Sequence, residues 1–91
     1  MDAYEATVLA WVERHKKHPG GNVGAVTVGF TLDRRGNLRA SHIVSASGNP
    51  VLDHAAIDQL KEASPFPRPP ANTEWRTRDF RVRIDFKRRR T

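Results

Sequence analysis

Apolar and polar residues follow two different periods along this chain, and the order of those periods gives the elements. Tyr4, Val8, Trp11, Val12 and His15 recur at helical spacing. Asp2, with Glu5 three positions later, forms a capping-box variant at the helix start. Glu5, Glu13 and Arg14 fill the opposite side, and Lys16, Lys17 and His18 suit the negative end of the helix dipole. Pro19-Gly20-Gly21-Asn22 forbids continuation, so a helix is predicted over 3–18. The period then drops to two. Val26, Val28, Phe30 and Leu32 fall on one side, with Ala25, Thr27, Gly29 and Thr31 on the other, giving a strand over 23–32. Asp33-Arg34-Arg35-Gly36-Asn37 reads as a hairpin connection, with Gly36 available for a left-handed backbone. The returning strand, 38–45, is irregular. Its apolar Leu38, Ile43 and Val44 break alternation and predict a bulge or twist near Ser41.

Ser47-Gly48-Asn49-Pro50 turns the chain into a second helix, 50–64, with Asn49 as cap and Pro50 at the first helical position. Leu52, Ala55, Ala56, Leu60 and Ala63 form its buried stripe. Pro65-Phe66-Pro67-Arg68-Pro69-Pro70 stops that helix and excludes a central strand; it should run extended, anchored by Phe66. A loop follows, from which Trp75 can pack back. The last strand, 78–87, contains Phe80-Arg81-Val82-Arg83-Ile84-Asp85-Phe86, which alternates without a slip.

These elements predict one α+β domain over 1–91, ordered helix-strand-strand-helix-strand. A second helix about 20 Å long returns the chain along the sheet, so the third strand runs parallel to the second. The first strand fills the slot between them, and the sheet order is 2-1-3. Both helices then cover the face carrying Val26, Val28, Phe30, Val82, Ile84 and Phe86. The last strand is an edge, with a free row of N–H and C=O groups that can pair with a peptide.

Composition narrows the function. At 91 residues, the chain has room for one modest core and no deep substrate cavity. There is no cysteine, hence no disulfide and no thiolate chemistry. No apolar run reaches membrane-spanning length. His15 and His18 can share a helix face but lack a third ligand at recognisable spacing, so a helix-end pair explains them better than a metal site. Ser45-Ala46-Ser47-Gly48 is a strand end and turn rather than a nucleophile elbow. Asp53 fits a first-turn carboxylate, and Gly20-Gly21 is a helix stop rather than a phosphate loop. No catalytic group and no cofactor site emerge, and an enzyme is not expected. The net charge of +6 is concentrated late, in Arg76, Arg78, Arg81, Arg83, Lys87, Arg88, Arg89 and Arg90. A nucleic-acid patch would explain it, but the strand lacks outward aromatics for base stacking. A solvated strand face with a charged tail that discourages aggregation fits better.

Taken in order, the segments resemble the C-terminal domain of TonB-type energy transducers, from Tyr4 to Phe86. The resemblance is carried first by Trp11-Val12-Glu13-Arg14-His15-Lys16-Lys17-His18-Pro19, with His18 where the family commonly has tyrosine. It continues through Val26-Thr27-Val28-Gly29-Phe30-Thr31-Leu32-Asp33-Arg34-Arg35-Gly36-Asn37-Leu38, Ser45-Ala46-Ser47-Gly48 and Leu52-Asp53-His54-Ala55-Ala56. Pro65-Phe66-Pro67-Arg68-Pro69 and the alternating strand complete it. The resemblance implies a periplasmic domain of a Gram-negative bacterium, tethered through an upstream proline-rich spacer to an inner-membrane helix. Through that upstream region it would engage proton-driven inner-membrane motor proteins.

Its implied work is to carry proton-gradient energy to outer-membrane transporters for iron chelates such as siderophores, cobalamin and similar nutrients. The implied grip is the transporter's Ton box, added as a strand. The contact residues would then be Phe80, Arg81, Val82, Arg83, Ile84, Asp85, Phe86 and Lys87, with His15, Lys16, Lys17, His18 and Pro19 as a second region. A TolA-type envelope-interaction domain is the rival within the same architecture, and a basic nucleic-acid module is the more distant one. An open edge also admits a second copy of the isolated domain, giving a homodimer.

Overall fold

A computed structural model describes residues 2–17 and 20–87. Its elements are α1 (Ala3–Arg14), β1 (Gly24–Asp33), β2 (Leu38–Ser45), α2 (Pro50–Ala63) and β3 (Thr77–Phe86). The three strands form one sheet in the order β2-β1-β3, with β1 antiparallel to both neighbours. Val26, Val28, Phe30 and Leu32 of β1 are essentially inaccessible to solvent. They meet Val8 and Val12 of α1, Leu52, Ala56 and Leu60 of α2, and Phe80, Ile84 and Phe86 of β3 in one core. The fold is therefore α+β, with both helices on one face of the sheet.

The first helix ends earlier than its pattern predicts, at Arg14 rather than His18. The His15 ring takes the place of a main-chain bond. Its Nδ1 lies 2.9 Å from the Trp11 carbonyl, which can only accept, so Nδ1 carries the proton. The His15 N–H turns instead to Val12 O and that of Lys16 to Glu13 O, tightening the last turn. At the other end Asp2 accepts from the Glu5 N–H at 2.7 Å. Glu5 does not return the bond but reaches Arg78, so the capping box is half closed.

Strand β2 departs from the pattern in two places rather than one. Register shifts lie between Thr27 and Val28 and between Thr31 and Leu32 of β1, opposite Val44 and Arg39 respectively, while Ser41 itself pairs with Phe30. The reason lies in the spacing of Leu38 and Ile43. Five residues apart, they would face opposite sides of a regular strand. One extra residue between them returns both to the helix-covered face, where Leu38 meets Leu32 and Ile43 meets Val28. On the uncovered face the His42 ring lies over Gly29, 2.6 Å from where a Cβ would stand. A side chain at Gly29 would require the exposed His42 ring to move aside.

The proline-rich segment is pinned through its backbone. Phe66 N–H donates to Gly36 O at 2.7 Å, and the Phe66 ring stacks on Phe30 at 5.6 Å. Gly36 has φ +84°, and a Cβ there would lie 2.0 Å from Phe66 O. Tyr4 donates to Pro67 O at 2.8 Å and stands 6.0 Å from Trp75, which packs back from its loop. Gly36→Ala adds both the left-handed strain and the clash. It is expected to destabilise the domain by about 1–3 kcal/mol or more, read as a lower urea midpoint.

Candidate partner-binding edge

The edge of β3 away from β1 has no strand neighbour among the described residues. Its pairing with β1 runs without a break through ten positions, from Gly24 with Phe86 to Asp33 with Thr77. The opposite edge, β2, is bulged twice. A bulged edge twists and presents its amides irregularly, whereas an unbroken strand presents them at a constant repeat. The two edges of the sheet are thus unequal templates for a further strand.

Helix α1 lies alongside the regular edge and leaves an open groove of about 780 Å³ between them. Its helix wall comes from Leu9, Ala10 and Glu13, and its strand wall from Arg81, Val82 and Arg83. Val12 and Ile84 close the base from within the core. Two attachments hold α1 at this distance. At one end Arg78 of β3 bonds Asp2 at 2.8 Å and Glu5 at 3.3 Å, while its guanidinium lies 4.9 Å from the Phe80 ring centre. At the other end Trp11 Nε1 donates to Ala63 O, and Gln59 Nε2 donates to Val12 O, both at 2.6 Å, which fixes α1 to α2. Gln59 is fully buried.

The residues singled out in the sequence divide by what they present. Phe80, Ile84 and Phe86 send their side chains into the core, so they offer only backbone at the edge. Val82 is half-buried and lines the groove. Arg81 and Arg83 stand exposed on the uncovered face, Arg83 paired with Asp85 at 3.0 Å. Lys87 lines the groove just beyond the last strand residue, and Lys16 lines it while bonding Glu13 at 2.9 Å. His15 packs on Trp11 instead, with ring centres 4.9 Å apart. Lys17 pairs with Glu62 of α2, on the side away from β3. His18 and Pro19 lie outside the described residues. Sequence reasoning missed Leu9 and Ala10. The available signal was a large apolar residue off the buried stripe of α1, next to a small one.

Charge is largely spent on positioning. The Glu5 N–H, followed by the Arg78 guanidinium, holds the Asp2 carboxyl below its usual range. Burial pushes the Asp33 carboxyl up, but the N–H groups of Asn37 and Arg35 outweigh it and leave it lowered. Burial likewise pushes the Tyr4 phenol up, keeping it a donor to Pro67. Arg81, in contrast, has no ion-pair partner among the described residues.

A family model described as "Gram-negative bacterial TonB protein C-terminal" matches residues 17–88. That is most of the chain. It belongs to the TonB C-terminal family. The fold is similar to solution structures of the Helicobacter pylori TonB C-terminal domain. One, of residues 179–285, has a TM-score of 0.74 at 22% identity, covering 94% of this chain and 81% of that one. The other, of residues 194–285, has a TM-score of 0.69 at 22% identity, covering 96% of each chain. The C-terminal domain of HasB matches with a TM-score of 0.62 at 33% identity, over 93% of this chain and 70% of that one. A search of curated proteins gives no match. The chain is thus a TonB-type transducer domain, a protein-interaction module rather than an enzyme by family.

The two lowered carboxyls set an acid limit on this TonB domain. Asp2 and Asp33 have folded pKa values below the ordinary aspartate value of 3.8. Their contribution to stability is therefore complete above about pH 3.8 and is lost as pH falls through the folded values. Thermal melts between pH 7 and pH 2 should show a loss of Tm beginning near pH 4. Asp33→Asn should melt lower at pH 7 and lose less on acidification.

Proposed function

We propose that this domain captures the Ton box of outer-membrane transporters as an additional strand on β3. In this reading it works in the periplasm, as the receiving end of a transducer anchored in the inner membrane. Energy from the proton gradient reaches it through motor proteins that engage the upstream part of the protein, and drives uptake of siderophore-bound iron and similar nutrients. The observation that carries the reading is the open groove between α1 and an unbroken, unpaired β3 edge.

Main-chain pairing suits a domain that serves several transporters, because the backbone repeat is common to every sequence. The guest would run along Phe80 to Lys87, with Lys16 at the groove's far wall. His15, Lys17, His18 and Pro19 belong to this proposal as a flanking contact region at the end of α1. The same edge would accept a second copy of the isolated domain, in competition with the guest. A nucleic-acid role gains no support from β3, whose aromatic rings are buried in the core.

Ton-box peptides N-methylated at one amide at a time supply the test. Each methyl removes one donor without altering a side chain. Affinity, read by fluorescence anisotropy, should fall several-fold or more at every second position and stay near that of the parent peptide between them. A uniform or absent effect along the peptide would overturn the pairing. A TolA-type domain would not bind the Ton-box peptide in the first place.

A further inference from the structure

The two faces of the β3 edge differ in chemistry, and that difference specifies the side chains of a guest strand. Successive side chains of an added strand point alternately to the two faces of the sheet. Those on the helix side enter the groove, where Leu9, Ala10 and Val82 meet them over a base of Val12 and Ile84. The acids on that side are already occupied. Glu5 bonds Arg78 and Glu13 bonds Lys16. A guest side chain therefore meets apolar surface in the middle of the groove, with both acids of α1 already paired and Lys87 at one end.

On the uncovered face the situation is reversed. Arg83 is taken by Asp85, and Asp79 accepts from the Thr31 hydroxyl at 2.5 Å. Arg81 lies between them in sequence, exposed and without an ion-pair partner among the described residues. A guest side chain next to it on the same face lies at cross-strand distance, where opposite charges attract and like charges repel. The whole domain, at +6, adds attraction for an acidic segment.

We infer that the groove selects an extended segment that alternates apolar and acidic residues, with apolar side chains toward α1 and an acidic one beside Arg81. This rests on strand addition to β3 and names the chemistry of the strand. Leu9 is its apolar selector and Arg81 its charge selector. A segment alternating apolar and basic residues satisfies the groove equally but places a cation against Arg81. One alternating serine and glutamate keeps the charge contact and loses the apolar one.

The test uses three labelled nine-residue peptides, alternating Val/Glu, Val/Lys and Ser/Glu, in anisotropy titrations at 50 and 500 mM salt. Val/Glu should bind at least tenfold tighter than Val/Lys, with the ratio shrinking at high salt. Arg81→Glu should remove or invert that ratio, and Arg81→Gln should remove it without inversion. Leu9→Lys should weaken Val/Glu severalfold while leaving Ser/Glu within about twofold. Circular dichroism melts confirm that each variant is folded, and all three substitutions lie outside the fully buried core.

Equal affinity for Val/Glu and Val/Lys, or a preference that survives Arg81→Glu, overturns the selection rule. N-methylation of the Val/Glu peptide separates this failure from failure of strand addition itself. A period-two loss without side-chain preference keeps the pairing and removes the selectivity. Binding by Val/Glu with no period-two loss removes both.

Discussion

The central position of β1 is the constraint on which the rest of the molecule depends. Its helix-facing residues, Val26, Val28, Phe30 and Leu32, are all buried to within about a hundredth of their surface, and its backbone is bonded on both sides. A helix crossover between β2 and β3 leaves room for one antiparallel strand between them, and β1 occupies it. Two edges follow necessarily. What distinguishes them is local. Leu38 and Ile43 can both reach the core only if β2 is bulged, whereas the alternation of β3 needs no correction. The same burial requirement therefore roughens one edge and leaves the other regular.

Helix α1 turns the regular edge into a groove. It is held by long-range contacts at both ends, Arg78 with Asp2 and Glu5 at one, and Trp11 and Gln59 to main-chain carbonyls at the other. Exposed ion pairs generally add little to stability. Here their geometry has a second consequence, since they fix how far α1 stands from β3. The buried Gln59 bond differs in kind: it ties Val12 O, which also accepts from the His15 N–H, to α2 from within the core. The groove's width thus depends on polar contacts at its ends, while its floor is part of the hydrophobic core.

The sequence displayed the fold more fully than the site. Periodicity, caps and the crossover argument led to the sheet order, the covered face and the open edge, because each depends on neighbours within a few residues. The end of α1 was less legible. Lys16, Lys17 and His18 look like a continuing helix, and nothing in their spacing shows that the His15 ring occupies the Trp11 carbonyl. Arg78 was harder still. In sequence it is one cation in a basic end of the chain, and its partners Asp2 and Glu5 are more than seventy positions away. Leu9 and Ala10 belong to the groove only because the sheet ends, at β3, beside them. Contacts of that kind require the three-dimensional arrangement, and no local pattern encodes them.

A main-chain grip also accords with how little this domain can spare. Its core is small, and a partner that had to insert large side chains would compete with the packing that holds the sheet together. Adding a strand leaves the core intact. It extends a ladder already held in register over ten β1–β3 pairs, so the receiving strand loses little conformational freedom on binding. Where a guest lies along β3 and is pulled along its own axis, every inter-strand bond is loaded together. Pulling across the axis would load them one after another. The first geometry resists far more force for the same number of bonds. An unbroken edge strand, backed by a doubly paired central strand, is therefore the geometry in which a guest pulled along its axis would be held by all its inter-strand bonds at once.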